Sequence, residues 1–153
     1  MKNWRNTNFF KAVIFIFLLG WFALPGFAQD DCNVRMPELQ GTYEGDCRWG
    51  RAHGEGVADG KDFYKGEFRR GWPHGEGIYE WANGDTYEGE WRNGRRSGEG
   101  TYEWESGEVY EGEWKNDMRH GEGEYRFFVN DSDTIIAGRW ANDQFLEDRA
   151  EKP

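Results

Sequence analysis

The chain is short of the residues that build most protein cores. After residue 28 it holds only 14 Leu, Ile, Val and Phe in 125 positions, well below the roughly 20% under which high charge points to disorder. That deficit excludes a helical bundle or a layered fold with an aliphatic interior. Cations are scarce too, 19 Lys and Arg against 29 Asp and Glu, which argues against a polycationic nucleic-acid binder. With two cysteines and no Cys-x-x-Cys, thiol redox chemistry has no motif to rest on. What is plentiful is glycine, 22 in all, together with seven Trp and seven Tyr beyond residue 28. Disordered chains are poor in aromatics. The composition therefore predicts a fold whose buried surface is aromatic and whose backbone needs glycine often.

Residues 1–28 read as a secretory signal. Lys2, Arg5 and Lys11 supply a positive start, and Ala12–Leu24 is an apolar run of 13, shorter than the roughly 20 residues a spanning helix needs. Pro25 and Gly26 break the run, and Gly26 and Ala28 place small residues where a cut before Gln29 needs them. An uncleaved anchor is the competing reading, with Phe9 and Phe10 extending the apolar stretch. Cys32 lies too far from the small residues for lipoprotein processing. The expected location is periplasmic or extracellular. Cleavage leaves 16 cations and 29 acids, a formal −13. Cys32 and Cys47 are candidates for a disulfide in an oxidising compartment; the alternative is a buried Cys47 and a free thiol at Cys32.

A repeat organises the remainder. Tyr64, Tyr87 and Tyr110 are spaced by 23 residues, and the segments behind them align: Tyr64-Lys-Gly-Glu-Phe68, Tyr87-Glu-Gly-Glu-Trp91, Tyr110-Glu-Gly-Glu-Trp114. Each is followed by Gly-x-Gly at Gly75–Gly77, Gly98–Gly100 and Gly121–Gly123. A shorter unit begins at Tyr43, and a remnant keeps Gly138-Arg-Trp140. Residues 29–40 form a lead-in, the units span 41–63, 64–86, 87–109 and 110–135, a partial unit covers 136–141, and 142–153 is a tail.

Each unit alternates as a β-hairpin does. Tyr87, Gly89 and Trp91 point one way, Thr86, Glu88 and Glu90 the other. Because a lone hairpin is marginal, the hairpins must add side by side. The expected fold is all-β, an elongated single-layer antiparallel meander of stacked hairpins with one aromatic and glycine face and one acidic face. Asn142–Lys152 is expected to close its end as a short capping helix through Phe145 and Leu146.

Tyr-x-Gly-x-Trp followed by His-Gly-x-Gly, as in Tyr87–Gly94 and His120–Gly123, resembles the MORN (membrane occupation and recognition nexus) repeat family over about Gly41 to Trp140. The resemblance implies a curved sheet of stacked hairpins and a scaffold more than an enzyme, with a proposed tie to membranes and phosphoinositides. Kinase and methyltransferase activities found fused to such repeats do not carry over, since no residues remain for those domains.

Three candidate chemistries follow the repeat. His53, His74 and His120 share one slot before Gly-x-Gly, with Ser97 there in the third unit, and neighbouring slots about 10 Å apart are too distant for one zinc ion. A turn-capping role is expected, and no metal or other cofactor. The glutamates recur with the period, so none stands out as a catalytic pair, and a solvated face is expected. Asn130–Asp133 carries spaced acids but lacks an EF-hand glutamate, and reads as an inserted turn.

Two binding surfaces remain. Tyr87, Trp91, Tyr102, Trp104, Tyr110 and Trp114 line an aromatic groove that suits an extended peptide, a helix or a sugar, unless the rings satisfy one another as a core. Arg69, Arg70, Arg92, Arg95, Arg96 and Arg119 lie between paired strands with Arg48, Arg51 and Lys115, as a basic border. That border either reads lipid head groups or acidic glycans, or neutralises nearby glutamates. A protein partner or self-association through the groove or an edge strand is the leading expectation, without catalysis. Binding of lipid head groups or glycans at the border is the alternative.

Overall fold

A computed structural model describes residues 32–130 and 132–146. The expected signal (1–28), Asp131 and the tail from 147 lie outside the described residues. The chain forms a ten-stranded antiparallel sheet with its strands in sequence order, as the hairpin repeat predicts. The strands are β1 Thr42–Cys47, β2 Ala52–Asp59, β3 Phe63–Arg69, β4 Trp72–Glu80, β5 Thr86–Arg92, β6 Arg95–Glu103, β7 Val109–Lys115, β8 Met118–Val129, β9 Ser132–Ala141 and β10 Gln144–Leu146.

The repeat works because, from β3 to β8, tyrosine meets tyrosine and glycine meets glycine across every seam, with Ala58 and Ile136 facing the tyrosines at the two ends. Tyr87 pairs with Tyr102 and Gly89 with Gly100; on the other side of β6, Gly100 pairs with Gly112 and Tyr102 with Tyr110. The glycines are a bed for the ring. A Cβ built at Gly100 would overlap the Tyr87 hydroxyl. Lying over that bed, Tyr87 donates its hydroxyl to the Glu90 carbonyl at 3.1 Å. From the next hairpin, Trp114 Nε1 donates to the Gly100 carbonyl at 3.0 Å. Trp91 and Trp140 do the same to Gly77 and Gly123, both at 3.2 Å. Each indole thus ties its hairpin to the previous one while its ring packs edge-on against two tyrosines, as Trp91 does with Tyr64 and Tyr87.

The paired strands of each hairpin join through two residues of positive φ, as a type I′ turn requires. These are Trp49-Gly50, Arg70-Gly71, Asn93-Gly94, Asn116-Asp117 and Asn142-Asp143. The last pair corrects the expected capping helix. With φ of 50° and 66°, Asn142 and Asp143 reverse the chain, and β10 pairs antiparallel with β9. The sequence Trp140-Ala-Asn-Asp repeats Trp114-Lys-Asn-Asp, so a fifth hairpin begins where a helix was expected.

The lead-in is built into the fold. Pro37–Leu39 form a 3-10 turn. Asn33 bonds Gly50 and Ala52, Arg35 donates to the Gly71 carbonyl at 2.8 Å, and the Glu38 carbonyl accepts from Asp62 N–H at 2.9 Å. This strap runs from the hairpin turns to the connectors of the first two hairpins and buries Val34 and Leu39 in the aromatic core. Cys32 is disulfide-bonded to Cys47 at the strap's outer end.

Candidate interaction surfaces

The aromatic groove is occupied by its own rings. Tyr87, Trp91, Tyr102, Tyr110 and Trp114 are buried, and Trp104 is half-buried. The hydroxyls of the three tyrosines among them are held far from ionisation. Burial, against the relief of Arg119 and with a smaller push from the Glu113 charge, raises Tyr110 to about 12. Tyr102 is raised by burial and by its 2.6 Å bond to Asp85. Burial alone would raise Asp85, but bonds from Tyr102, the Glu105 N–H and Asn83 hold it below the usual carboxylate range.

Arg96 and Arg119, expected at the basic border, are folded into the aromatic side. The Arg96 guanidinium lies 4.3 Å from the Trp114 ring and 4.9 Å from Tyr102; Arg119 lies 4.3 Å from Trp140. Both occupy the slot opposite the indole in their hairpin, where Ala52 and Pro73 stand in the first two. In each hairpin the second turn residue donates its N–H to the slot carbonyl of the preceding hairpin: Gly71 to Ala52 (2.8 Å), Gly94 to Pro73 (2.9 Å), Asp117 to Arg96 and Asp143 to Arg119 (both 3.1 Å). The turn residue is Asp where the slot holds Arg, and Gly where it holds Ala or Pro. Arg96 and Arg119 also donate Nη2 to the carbonyls of Asp117 and Asp143, at 2.8 and 3.0 Å. The strap does the equivalent work at Gly50 and Gly71.

The other border cations are exposed. Arg69, Arg70, Arg92 and Arg95 face solvent, as do Arg48, Arg51 and Lys115. The ion pairs among the described residues use Arg96, Arg119, Arg126 and Arg139 instead. The glutamates two positions before Arg92 and Lys115 are otherwise engaged. Glu90 folds over Gly98, whose φ of 59° and missing Cβ make the space, and accepts the Glu99 N–H at 3.2 Å. Glu113 does the same over Gly121, accepting from Glu122 at 2.9 Å.

Of the histidines, His74 accepts the Asn93 N–H at Nδ1 (3.4 Å) and lies 3.5 Å from Arg69 Nη1 at Nε2. Burial, then Arg69 and Arg92 against the opposing Glu67, lower its pKa. Among the described residues no group of His, Cys, Asp and Glu is arranged to hold a metal ion. A shallow cleft on the acidic face is lined by Glu99, Glu111, Glu122 and Glu124 beside Gly112 and Gly138.

Sequence reasoning missed the exposed apolar residues of the last hairpins. Phe128 and Ile135 are each 53% exposed, with Val129, Phe145 and Leu146 also in solvent. β8 and β9 outgrow the other hairpins through the inserted residues near 130. The signal was there in an insertion that carries Phe-Phe-Val and Ile-Ile at its base.

A single-layer sheet of hairpins, each seated on glycines of the one before, defines a repeat scaffold that offers faces and edges for interaction. The MORN repeat model matches residues 43–62, 64–86, 87–109 and 110–132, and the chain belongs to the MORN repeat family. MORN repeats are non-catalytic and serve in protein and membrane interaction. No curated protein matches the chain at a significant level.

Proposed function

We propose that the protein is an exported, non-catalytic scaffold that holds a protein partner, or a second copy of itself, through the C-terminal end of its sheet. The observation that carries this reading is the placing of exposed apolar side chains. Phe128, Val129 and Ile135 lie together at the connector end of the β8–β9 hairpin, and Phe145 and Leu146 are exposed on the last strand, β10, whereas the groove rings point inward. Singly exposed apolar residues need no explanation, but a cluster at a sheet end is the pattern of an interaction site. Export rests on the signal-like residues 1–28, and its test is a mass spectrum of the secreted protein with Gln29 at its start. Light scattering tests the scaffold reading. A dimer or complex that Phe128→Asp and Ile135→Asp convert to monomer supports it; an association unaffected by both substitutions removes the C-terminal end from consideration.

The basic border supports a second reading, the binding of anionic head groups or glycans. Its favouring observation is that Arg69, Arg70, Arg92 and Arg95 are exposed and without an ion pair among the described residues.

A further inference from the structure

The position that holds Trp91 and Trp114 in the third and fourth hairpins holds Cys47 and Phe68 in the first two, and the residue after it is a cation in all four: Arg48, Arg69, Arg92 and Lys115. Since Trp91 and its equivalents face the aromatic side, the residue that follows each faces the opposite side. Equivalent positions in neighbouring hairpins are two strand spacings apart, so these cations form a row with a period of about 10 Å along the turn edge. Arg51 and Arg95 flank the row across their hairpins, Arg95 paired with Arg92 and Arg51 bonded to Arg48 through the backbone. Glu90 and Glu113, the acids beside Arg92 and Lys115 on the same face, are bound to backbone N–H groups.

Trp49 stands at the first end of the row. It is 81% exposed, and its φ of 54° puts a large ring in a turn position that the third, fourth and fifth hairpins give to asparagine. The Arg48 guanidinium stacks 4.3 Å from its ring. A flat ring beside regularly spaced cations suits a ligand that is itself a chain of rings with recurring negative charge.

We propose that Arg48, Arg69, Arg92 and Lys115, with Trp49 at their end, bind a linear anionic polysaccharide along the turn edge. This rests on the reading of the border as an anion site. A bilayer fits less well, because it meets the whole body with its excess of acids, 29 against 16 cations beyond residue 28. A thin polymer lies along the turn margin of the acidic face, where Glu90 and Glu113 are bound to backbone N–H groups, and the acids further along the strands are screened over a Debye length of about 8 Å.

The test is titration calorimetry of the purified protein with polygalacturonate, its neutral methyl ester, anionic phospholipid vesicles and single-stranded DNA. Binding is expected for polygalacturonate, weakening with salt, and not for the ester. The double variant Arg69→Glu, Arg92→Glu should lose about tenfold or more in affinity, and the milder Arg69→Gln, Arg92→Gln less. Trp49→Ala should weaken binding several-fold, whereas Arg126→Glu, away from the row, should leave it within about twofold. Binding that survives both double variants overturns the row. Vesicle binding without polygalacturonate binding overturns the polysaccharide assignment and leaves the anion border standing, and equal binding to DNA overturns the assignment as well. Binding to none of the probes ends both.

Discussion

Arg96 and Asp117 hold one another through backbone and side chain together. The Arg96 N–H donates to Asp117 Oδ1 at 2.9 Å, Asp117 N–H donates to the Arg96 carbonyl at 3.1 Å, and Arg96 Nη2 donates to the Asp117 carbonyl at 2.8 Å. One hairpin later Arg119 and Asp143 repeat the arrangement. One hairpin earlier Pro73 and Gly94 keep the single backbone bond and dispense with the side chains.

The pair should therefore be exchangeable as a pair. Arg96→Ala removes a stacked guanidinium and its charged hydrogen bonds, an expected loss of about 2–3 kcal/mol. The double variant Arg96→Pro, Asp117→Gly reproduces the Pro73–Gly94 solution, and should lose less than its two single changes added together. Urea denaturation of all four proteins measures the coupling; strict additivity would refute it.

Gly100→Ala should be among the most damaging single changes. The new methyl would collide with the Tyr87 ring and hydroxyl, and the expected cost is about 3 kcal/mol. Gly50→Ala makes the contrast, because nothing lies within 4 Å of its Cβ position and only the φ of 67° resists. It should cost about 1 kcal/mol. Equal losses in denaturation would show that the glycine beds do not hold the tyrosines.

Reducing the disulfide should loosen the strap selectively. The bond closes a separation of 15 residues, worth about 3 kcal/mol in the chain-entropy account. Cys32→Ser is expected to lower the melting temperature and to raise amide exchange at Arg35 and Asp62, whose N–H groups bond Gly71 and Glu38. Unchanged protection at those two amides would mean that the buried Val34 and Leu39 suffice.

His74 should set part of the acid sensitivity. Its folded pKa lies below the ordinary value of 6.5, so between the two pKa values the unfolded chain binds more protons. Stability is then lost as pH falls from about 6.5 through the folded pKa. His74→Gln should flatten that part of the profile of melting temperature against pH, while leaving the region above pH 7 unaltered. A profile of unchanged shape would assign the acid loss elsewhere.

The strands, their order and the aromatic and acidic faces were legible because the repeat prints them four times over. What could not be read was which long side chains turn inward. Arg92, Arg95 and Arg96 are close neighbours in sequence, yet only Arg96 sits opposite the indole, since the register of Trp91 against Arg96 is set by a bulge after Gly89. The same limit hid the roles of Glu90 and Glu113, which looked like mere solvated acids and cover the positive-φ glycines. The fifth hairpin is legible in Trp140-Ala-Asn-Asp, although Phe145 and Leu146 also suit the inward side of a capping helix.

Each hairpin's turn bonds only its predecessor, and the strap with its disulfide secures the first two. The last strand, β10, holds by three residue pairs. Such a molecule is a zip with a fixed bottom stop and an open top. It should come undone from β10 backwards, with amide protection falling steadily from β2 to β10. The end that opens first is also the end that presents Phe145 and Leu146, so a partner clasped there would act as the missing top stop.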